Sequence, residues 1–311
     1  MARRKSSDDE DLASAGHSLG QKVGDWLEEF FVLPLLSEVA GHLKLFLDHR
    51  FIARTAREGK KITWKDEDEN EVDYDFVMEL DGDDKHLGIP VAFFECFWRR
   101  GKRHSKDKAR DDSGKLTPMR DTYPTARFLG IVASGDFTSP ASTLVQSRRI
   151  DFFCVPKTKV ITAFEKHGVQ IDYPDRTSEE KKVQMVKAFD RAMVPALKPK
   201  IATTLISLVG ETSIGTYVDR VRAALGALPQ ELRFVMQRQS KPAVFESIPE
   251  ATEFLKNPTF DFNSPAENYI YEITYSDGSE FERPVRSLED LRKLHHDMDR
   301  LAQHIMSLTR K

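Results

Sequence analysis

From Ser18 to Arg57 the apolar residues recur at helical spacing: Val23, Trp26, Leu27, Phe30 and Phe31, then Leu35, Leu36, Val39, Leu43, Phe46 and Leu47. Pro34 falls inside this run, which predicts two helices or a kinked one. The period then changes to two. Tyr74–Leu80 and Ile89–Trp98 read as strands, and the turn signal Asp81-Gly-Asp-Asp84 between them predicts an antiparallel hairpin. A helix from Ser105 to about Arg120 follows, with Ser105 as its cap. Phe128–Ala133 and Phe152–Val155 read as buried strands, with helices at about Pro140–Arg148 and Lys159–Lys166. This alternation predicts an α/β sandwich with a mixed sheet.

Beyond Asp172 the texture differs. Lys181–Ala227 reads as helical, punctuated by Pro195 and Pro199. Ser247–Leu255 is a short amphipathic helix with Ser247 as cap. Tyr269–Tyr275 alternates, Ser276–Ser279 is a hairpin turn, and Leu288–Leu308 closes the chain as a helix. The expected organisation is a polar arm at 1–17, an α/β core at 18–172, and a mainly helical α+β subdomain at 173–311 for dimerisation or clamping.

Composition narrows this picture. With 47 Lys and Arg against 50 Asp and Glu, the net charge of −3 excludes a protein held to nucleic acid by bulk charge, though not one with a local basic surface. Two cysteines, Cys96 and Cys154, exclude a disulfide scaffold or a Cys-based zinc finger and suit a reducing compartment. No apolar run approaches the roughly 20 residues of a membrane span. The polar arm MARRKSSDDEDLASAGHS fails as a signal peptide and reads as disordered, so the cytoplasm is the expected location.

The charge is segregated. Lys65–Asp84 carries 11 acidic residues, whereas Arg99–Arg110 carries seven Lys and Arg against one acid, Asp107. Strand parity sets Asp73, Asp75, Val77 and Glu79 on one face of the first hairpin strand, and Val91, Phe93, Glu95 and Phe97 on one face of the second. Glu95 stands among aromatics, where a carboxylate is costly unless paired or bound to a metal. Carboxylates followed by a basic helix suit metal-dependent phosphodiester hydrolysis: two acids hold Mg²⁺, the metal polarises the phosphate and its bound water, and a lysine orients that water.

Asp75, a spacer, and Glu95 on the adjacent strand after an N-terminal helix resemble the PD-(D/E)xK nuclease superfamily. The segment Glu95-Cys-Phe-Trp-Arg-Arg-Gly-Lys-Arg-His-Ser-Lys-Asp-Lys-Ala109, followed by Phe128–Phe137, is similar to a subset of type II restriction endonucleases. The resemblance covers roughly Leu19–Asp172. It implies a restriction-endonuclease-like α/β/α core and a Mg²⁺-dependent endonuclease cutting double-stranded DNA at a specific sequence to leave 5′-phosphate and 3′-hydroxyl ends. It also implies a homodimer matched to a palindromic site, with a DNA methyltransferase encoded nearby.

Two positions depart from the pattern. Tyr74 replaces the proline before the first acid, and Phe97 replaces the lysine two residues after the second. The superfamily allows that lysine to migrate onto the following helix. Lys108 is the first choice, with Lys106 and Lys102 as alternatives and His104 as an auxiliary proton carrier. Asp75, with Asp73 as alternative, and Glu95 are the expected metal ligands. Glu28 matches a helix acid that assists metal binding in parts of the superfamily. Arg99, Arg100, Arg103 and Ser105 are the expected DNA contacts, and Lys157, Lys159, Arg148 and Arg149 are weaker ones. His295 and His296 read as surface residues and Trp98 as core. The competing readings are a DNA-binding protein that has lost catalysis at Phe97, and a nuclease of repair, mobile-element processing or phage defence.

Overall fold

The computed structural model describes residues 14–101, 105–236, 241–259 and 268–309. The N-terminal helical run resolves into α1 (Ala15–Leu27) and α2 (Leu33–Leu43), joined by a π-helical segment at Glu28–Val32. Pro34 has no N–H to offer the Phe30 carbonyl, and its ring would clash with that carbonyl in a regular α-turn. The turn ahead of it widens, and the Leu33 N–H reaches back five residues to the Glu28 carbonyl. Glu28 therefore opens a π turn, a device that recurs at functional sites.

The helix stops at Leu43, and Lys44 takes a left-handed conformation (φ 50°). Phe46 and Leu47, read above as helical, belong to β1 (Phe46–His49). The first hairpin strand is divided. β2 (Ile62–Lys65) and β3 (Glu71–Tyr74) form their own two-stranded ribbon, Asp75 is a bend, and β4 (Phe76–Leu80) joins the main sheet beside β1. The parity placing Asp73, Asp75 and Glu79 on one face does not survive this bend: Asp73 and Glu79 lie in different sheets.

β5 (Ile89–Arg99) is buried over nine of its eleven residues. After it come α3 (Ser105–Thr122), β6 (Phe128–Gly135), α4 (Ser139–Ser147), β7 (Asp151–Pro156) and α5 (Lys157–Glu165). The main sheet has the order β1-β4-β5-β6-β7, with β1–β4 antiparallel and β6–β7 parallel. The architecture is thus α/β with a mixed five-stranded sheet. Gly135 (φ 138°) is required where β6 ends, because a Cβ there would lie 1.9 Å from the Arg99 carbonyl oxygen.

Two compact units are present. One comprises Met1–Ser37, Phe94–Gly114 and Gly130–Tyr217, and the other Glu38–Phe93, Lys115–Leu129 and Val218–Lys311. In the first, α4 and α5 pack on β7, and the chain continues into α6 (Glu179–Ala192), which packs on α1, and α7 (Lys198–Val209), which packs on α5. Trp26 of α1 meets the Phe164 ring edge-on at 4.5 Å.

After α8 (Glu211–Gly226), the second unit holds a four-stranded sheet ordered β11-β10-β8-β9. Its strands are β8 (Pro229–Met236), β9 (Ala243–Phe245), β10 (Tyr269–Tyr275) and β11 (Glu280–Val285). β8 and β9 were not expected from the sequence. α9 (Ile248–Lys256) is capped by Ser247, whose hydroxyl accepts from the Glu250 N–H. α9 and α10 (Leu288–Thr309) pack with the buried face of the sheet, where Tyr269, Tyr271, Ile273 and Tyr275 alternate with half-exposed residues.

His295 belongs to that core and not to the surface; it is 4% exposed, while its neighbour His296 is exposed. It lies one helical turn from Leu291, on the buried stripe of α10. The Thr252 hydroxyl donates to the Ile248 carbonyl, so His295 Nε2–H donates to Thr252 Oγ1 at 2.9 Å and Tyr271 donates to Nδ1 at 3.0 Å. Burial, helped by His296 and opposed by Asp299, pushes the imidazole down to about 4 from the usual 6.5. The unfolded chain therefore binds this proton more readily than the native one. The stability that His295 supplies is complete above about pH 6.5 and is lost as the pH falls toward 4. Urea unfolding at pH 7 and pH 5 is expected to show a drop of about 2 kcal/mol from this group. His295→Gln should remove that share of the drop, and an unchanged pH dependence in the variant would refute the assignment.

Candidate active site

The first unit contains a cavity of about 300 Å³. One wall is α1. Its buried stripe, Leu19, Val23, Trp26 and Leu27, faces the core, and the opposite spacing, His17, Gln21, Asp25 and Glu28, lines the cavity with Gly20 and Gly24 between. Another wall is the end of β5, from Cys96 to Arg100, and Lys108 of α3 completes the lining. Of the residues the sequence singled out, Glu28, Phe97, Trp98, Arg99, Arg100 and Lys108 are thereby brought together, while Glu95 is not part of the lining. Asp25, Gln21 and His17 were missed, although their spacing of four marks one helix face.

Glu28 is 8% exposed and Glu95 3% exposed. Pleat alternation puts Glu95 on the same face of β5 as Phe97 and Arg99, two and four residues before the strand leaves the sheet. Lys108 reaches Phe97 from α3, its Nζ 5.3 Å from the ring centroid. The same ammonium donates to Oδ1 of Asp112, one helical turn on and fully buried. The inner face of α3 is unusually polar for a buried surface, with Ser105, Asp112 and Ser113 all at 0% exposure beside Ala109.

The basic candidates separate. The Nε of Arg99 is buried with no hydrogen-bond partner among the described residues. Arg100 is committed: it donates to Asp175 at 2.6 Å and to the Tyr173 carbonyl at 2.8 Å, and its guanidinium lies 4.3 Å from the Tyr173 ring centroid. These contacts tie the residue after β5 to the 172–175 segment. Ser105 is buried at the start of α3 and offers no surface for DNA. Lys106 is exposed on α3. Lys102, Arg103 and His104 lie outside the described residues. Lys157 pairs with Asp172 at 3.1 Å, Lys159 donates to the Val209 carbonyl, and Arg148 to Ser113 at 2.9 Å, so these three are tied down within the unit, while Arg149 is exposed.

The remaining acids belong to the second unit. Asp75 is half-buried at its bend. Asp73 is engaged on its own ribbon: it accepts from Lys61 at 2.6 Å, which lowers its carboxyl below the usual range, and from the Thr63 hydroxyl at 2.8 Å. Glu79 is saturated by Arg54 and the Gly88 N–H. Among the described residues no three His, Cys, Asp or Glu side chains gather as a metal-binding group. Both cysteines are free thiols, and burial pushes that of Cys154 up to about 11, which leaves it without thiolate character at neutral pH. No helix among the described residues is long and apolar enough to cross a membrane.

Comparison of the chain with protein families, with curated protein sequences and with solved structures gives no match.

Proposed function

We propose that the chain is a Mg²⁺-dependent endodeoxyribonuclease of restriction-endonuclease-like α/β/α fold, hydrolysing double-stranded DNA at a specific sequence as a homodimer, with a companion methyltransferase protecting the host. The observation that carries this reading is the pairing of chemistries in one unit: the buried carboxylates Glu28 and Glu95, and a cavity wall bearing the Lys108 ammonium and the Arg99 guanidinium. Hard oxygen donors fit Mg²⁺, which takes one or two carboxylates and keeps waters and substrate phosphate oxygens for its other positions. Glu95 and Glu28 are the proposed donors. Asp75 remains the acid that the sequence pattern assigns, and Asp75→Asn in the same assay reads its share.

The bound ion would supply charge neutralisation at the phosphate and a more acidic water. The chain's own groups do the rest. Lys108 orients the attacking water by hydrogen bonding. Arg99, which lines the cavity, meets a phosphate oxygen. The aromatic end of β5 keeps bulk water away from the carboxylates.

The test is incubation of the purified protein with unmethylated phage DNA in Mg²⁺ and in EDTA. Discrete fragments with 5′-phosphate ends that vanish on metal removal are expected. A metal-dependent smear would retain the nuclease and remove the sequence specificity, placing the chain with nucleases of repair, mobile elements or phage defence. Phe97, at the position where the pattern has lysine, favours a second reading as a DNA-binding protein without cleavage; a salt-sensitive gel shift with no cutting would establish that one instead.

A further inference from the structure

We propose that Phe97 and Asp112 are positioning residues that clamp the Lys108 ammonium at the cavity wall, so that α3 delivers from a helix the cation that the sequence pattern places on the strand at Phe97. The inference rests on the nuclease reading and names the residues that make its displaced lysine work.

A lysine is a poor catalytic group when its four-carbon stem is free, because ordering it costs rotamer entropy. Lys108 is ordered from two sides. Asp112 accepts a charge-assisted hydrogen bond from Nζ. The pair has spacing i,i+4, but it is not a solvated helix-surface pair. Asp112 is 0% exposed and the Lys108 side chain 23%, and the Lys-before-Asp order is the weaker orientation for a helix surface. The second support is the Phe97 ring, its centroid 5.3 Å away, whose electron-rich face attracts a cation. That ring is itself fixed: it packs on Phe137 at 5.4 Å, and Phe137 packs on Phe152 at 5.4 Å.

An ammonium has three N–H donors. Among the described residues Asp112 takes one, and the others face a water in the cavity that Lys108 lines. Phe97 thus keeps a part in the site: it is the platform for the helix lysine.

The experiment measures kcat and KM for Mg²⁺-dependent DNA cleavage in Lys108→Ala, Asp112→Asn, Phe97→Leu and the two doubles that combine Lys108→Ala with each of the others. Lys108→Ala is expected to lower kcat by about 10²-fold or more. Asp112→Asn and Phe97→Leu should each lower kcat about tenfold with KM for DNA unchanged, the signature of lost orientation. In the Lys108→Ala background neither should reduce kcat further, because there is nothing left to position. A merely structural role would instead multiply through the doubles. In the wild type the Lys108 side-chain protons should be shifted upfield by the Phe97 ring current in NMR spectra, and Phe97→Leu should abolish that shift. Wild-type kcat in Asp112→Asn, or full multiplication in the doubles, overturns the clamp while cleavage by the wild type stands. Absence of cleavage by the wild type overturns the nuclease reading itself and the clamp's role with it, so the two failures are told apart by the unmutated protein.

Discussion

Glu95→Ala is expected to abolish Mg²⁺-dependent cleavage, with a loss of at least about 10²–10³-fold, the scale on which sites respond to removal of one preorganised charge-stabilising group. Glu95 is 3% exposed near the end of a strand that is apolar but for Glu95 and its last residue, Arg99. Such a carboxylate is expensive to bury and is retained where it pairs or holds a cation. Glu95→Gln keeps the shape and hydrogen-bonding capacity but not the charge, so it should lose cleavage almost as fully while leaving the far-ultraviolet circular dichroism spectrum unchanged. DNA binding should persist in both variants, since phosphate contacts come from cations and carry most of the non-specific affinity. Near-wild-type cutting by either variant would remove Glu95 from the chemistry. Loss of binding together with cutting would assign it to the architecture of β5.

Much of the site's frame was legible in the sequence. β5, the start of α3, β6 and the C-terminal hairpin with its helix follow from periodicity and turn chemistry, and Glu95 stood out as one acid in an aromatic run. The Lys108–Asp112 pair also has a sequence signal, because a spacing of four puts both on one helix face. What escaped has physical causes. β1 was hidden because Phe46 and Leu47 extend the helical period of the preceding run, and only the left-handed Lys44 breaks it. The bend at Asp75 was hidden because parity says nothing about where a strand changes sheets. His295 could have been found: its spacing from Leu291 and Met298 puts it on the buried stripe, whereas the paired histidines suggested a polar surface. β8 too had a signal, in the alternation of Leu232, Phe234 and Met236, each buried. The partners of Arg54 had none, since an ion pair between residues 25 apart is chosen by tertiary contact alone.

That ion pair yields the largest expected effect on stability. Arg54→Ala should destabilise the protein by about 3–5 kcal/mol, as removal of one member of a buried pair leaves its partners charged and desolvated. Arg54, Asp48 and Glu79 all have fully buried side chains. The guanidinium meets Glu79 at 2.6 and 2.8 Å and Asp48 at 2.8 Å, and it also donates to the Asp83 and His86 carbonyls at 2.9 and 2.8 Å. Burial opposes its charge, but the bonds to Glu79 and Asp48 outweigh that cost and raise its affinity for the proton. One side chain thus fastens β1, β4 and the 81–88 connection. The connection is shaped to fit, for a Cβ on Gly82 would lie 2.5 Å from Glu79 Oε2 and one on Gly88 2.3 Å from the Leu80 carbonyl oxygen. Arg57 still holds Asp48 in the variant, at 3.1 Å, so Glu79 is the acid left exposed to the full penalty. Adding Glu79→Ala to Arg54→Ala should therefore cost much less than Glu79→Ala costs alone, a coupling of about 1–3 kcal/mol in a urea-denaturation cycle. Additive losses, or a loss under about 1 kcal/mol for Arg54→Ala, would show the cluster to be a solvated network that the fold does not depend on.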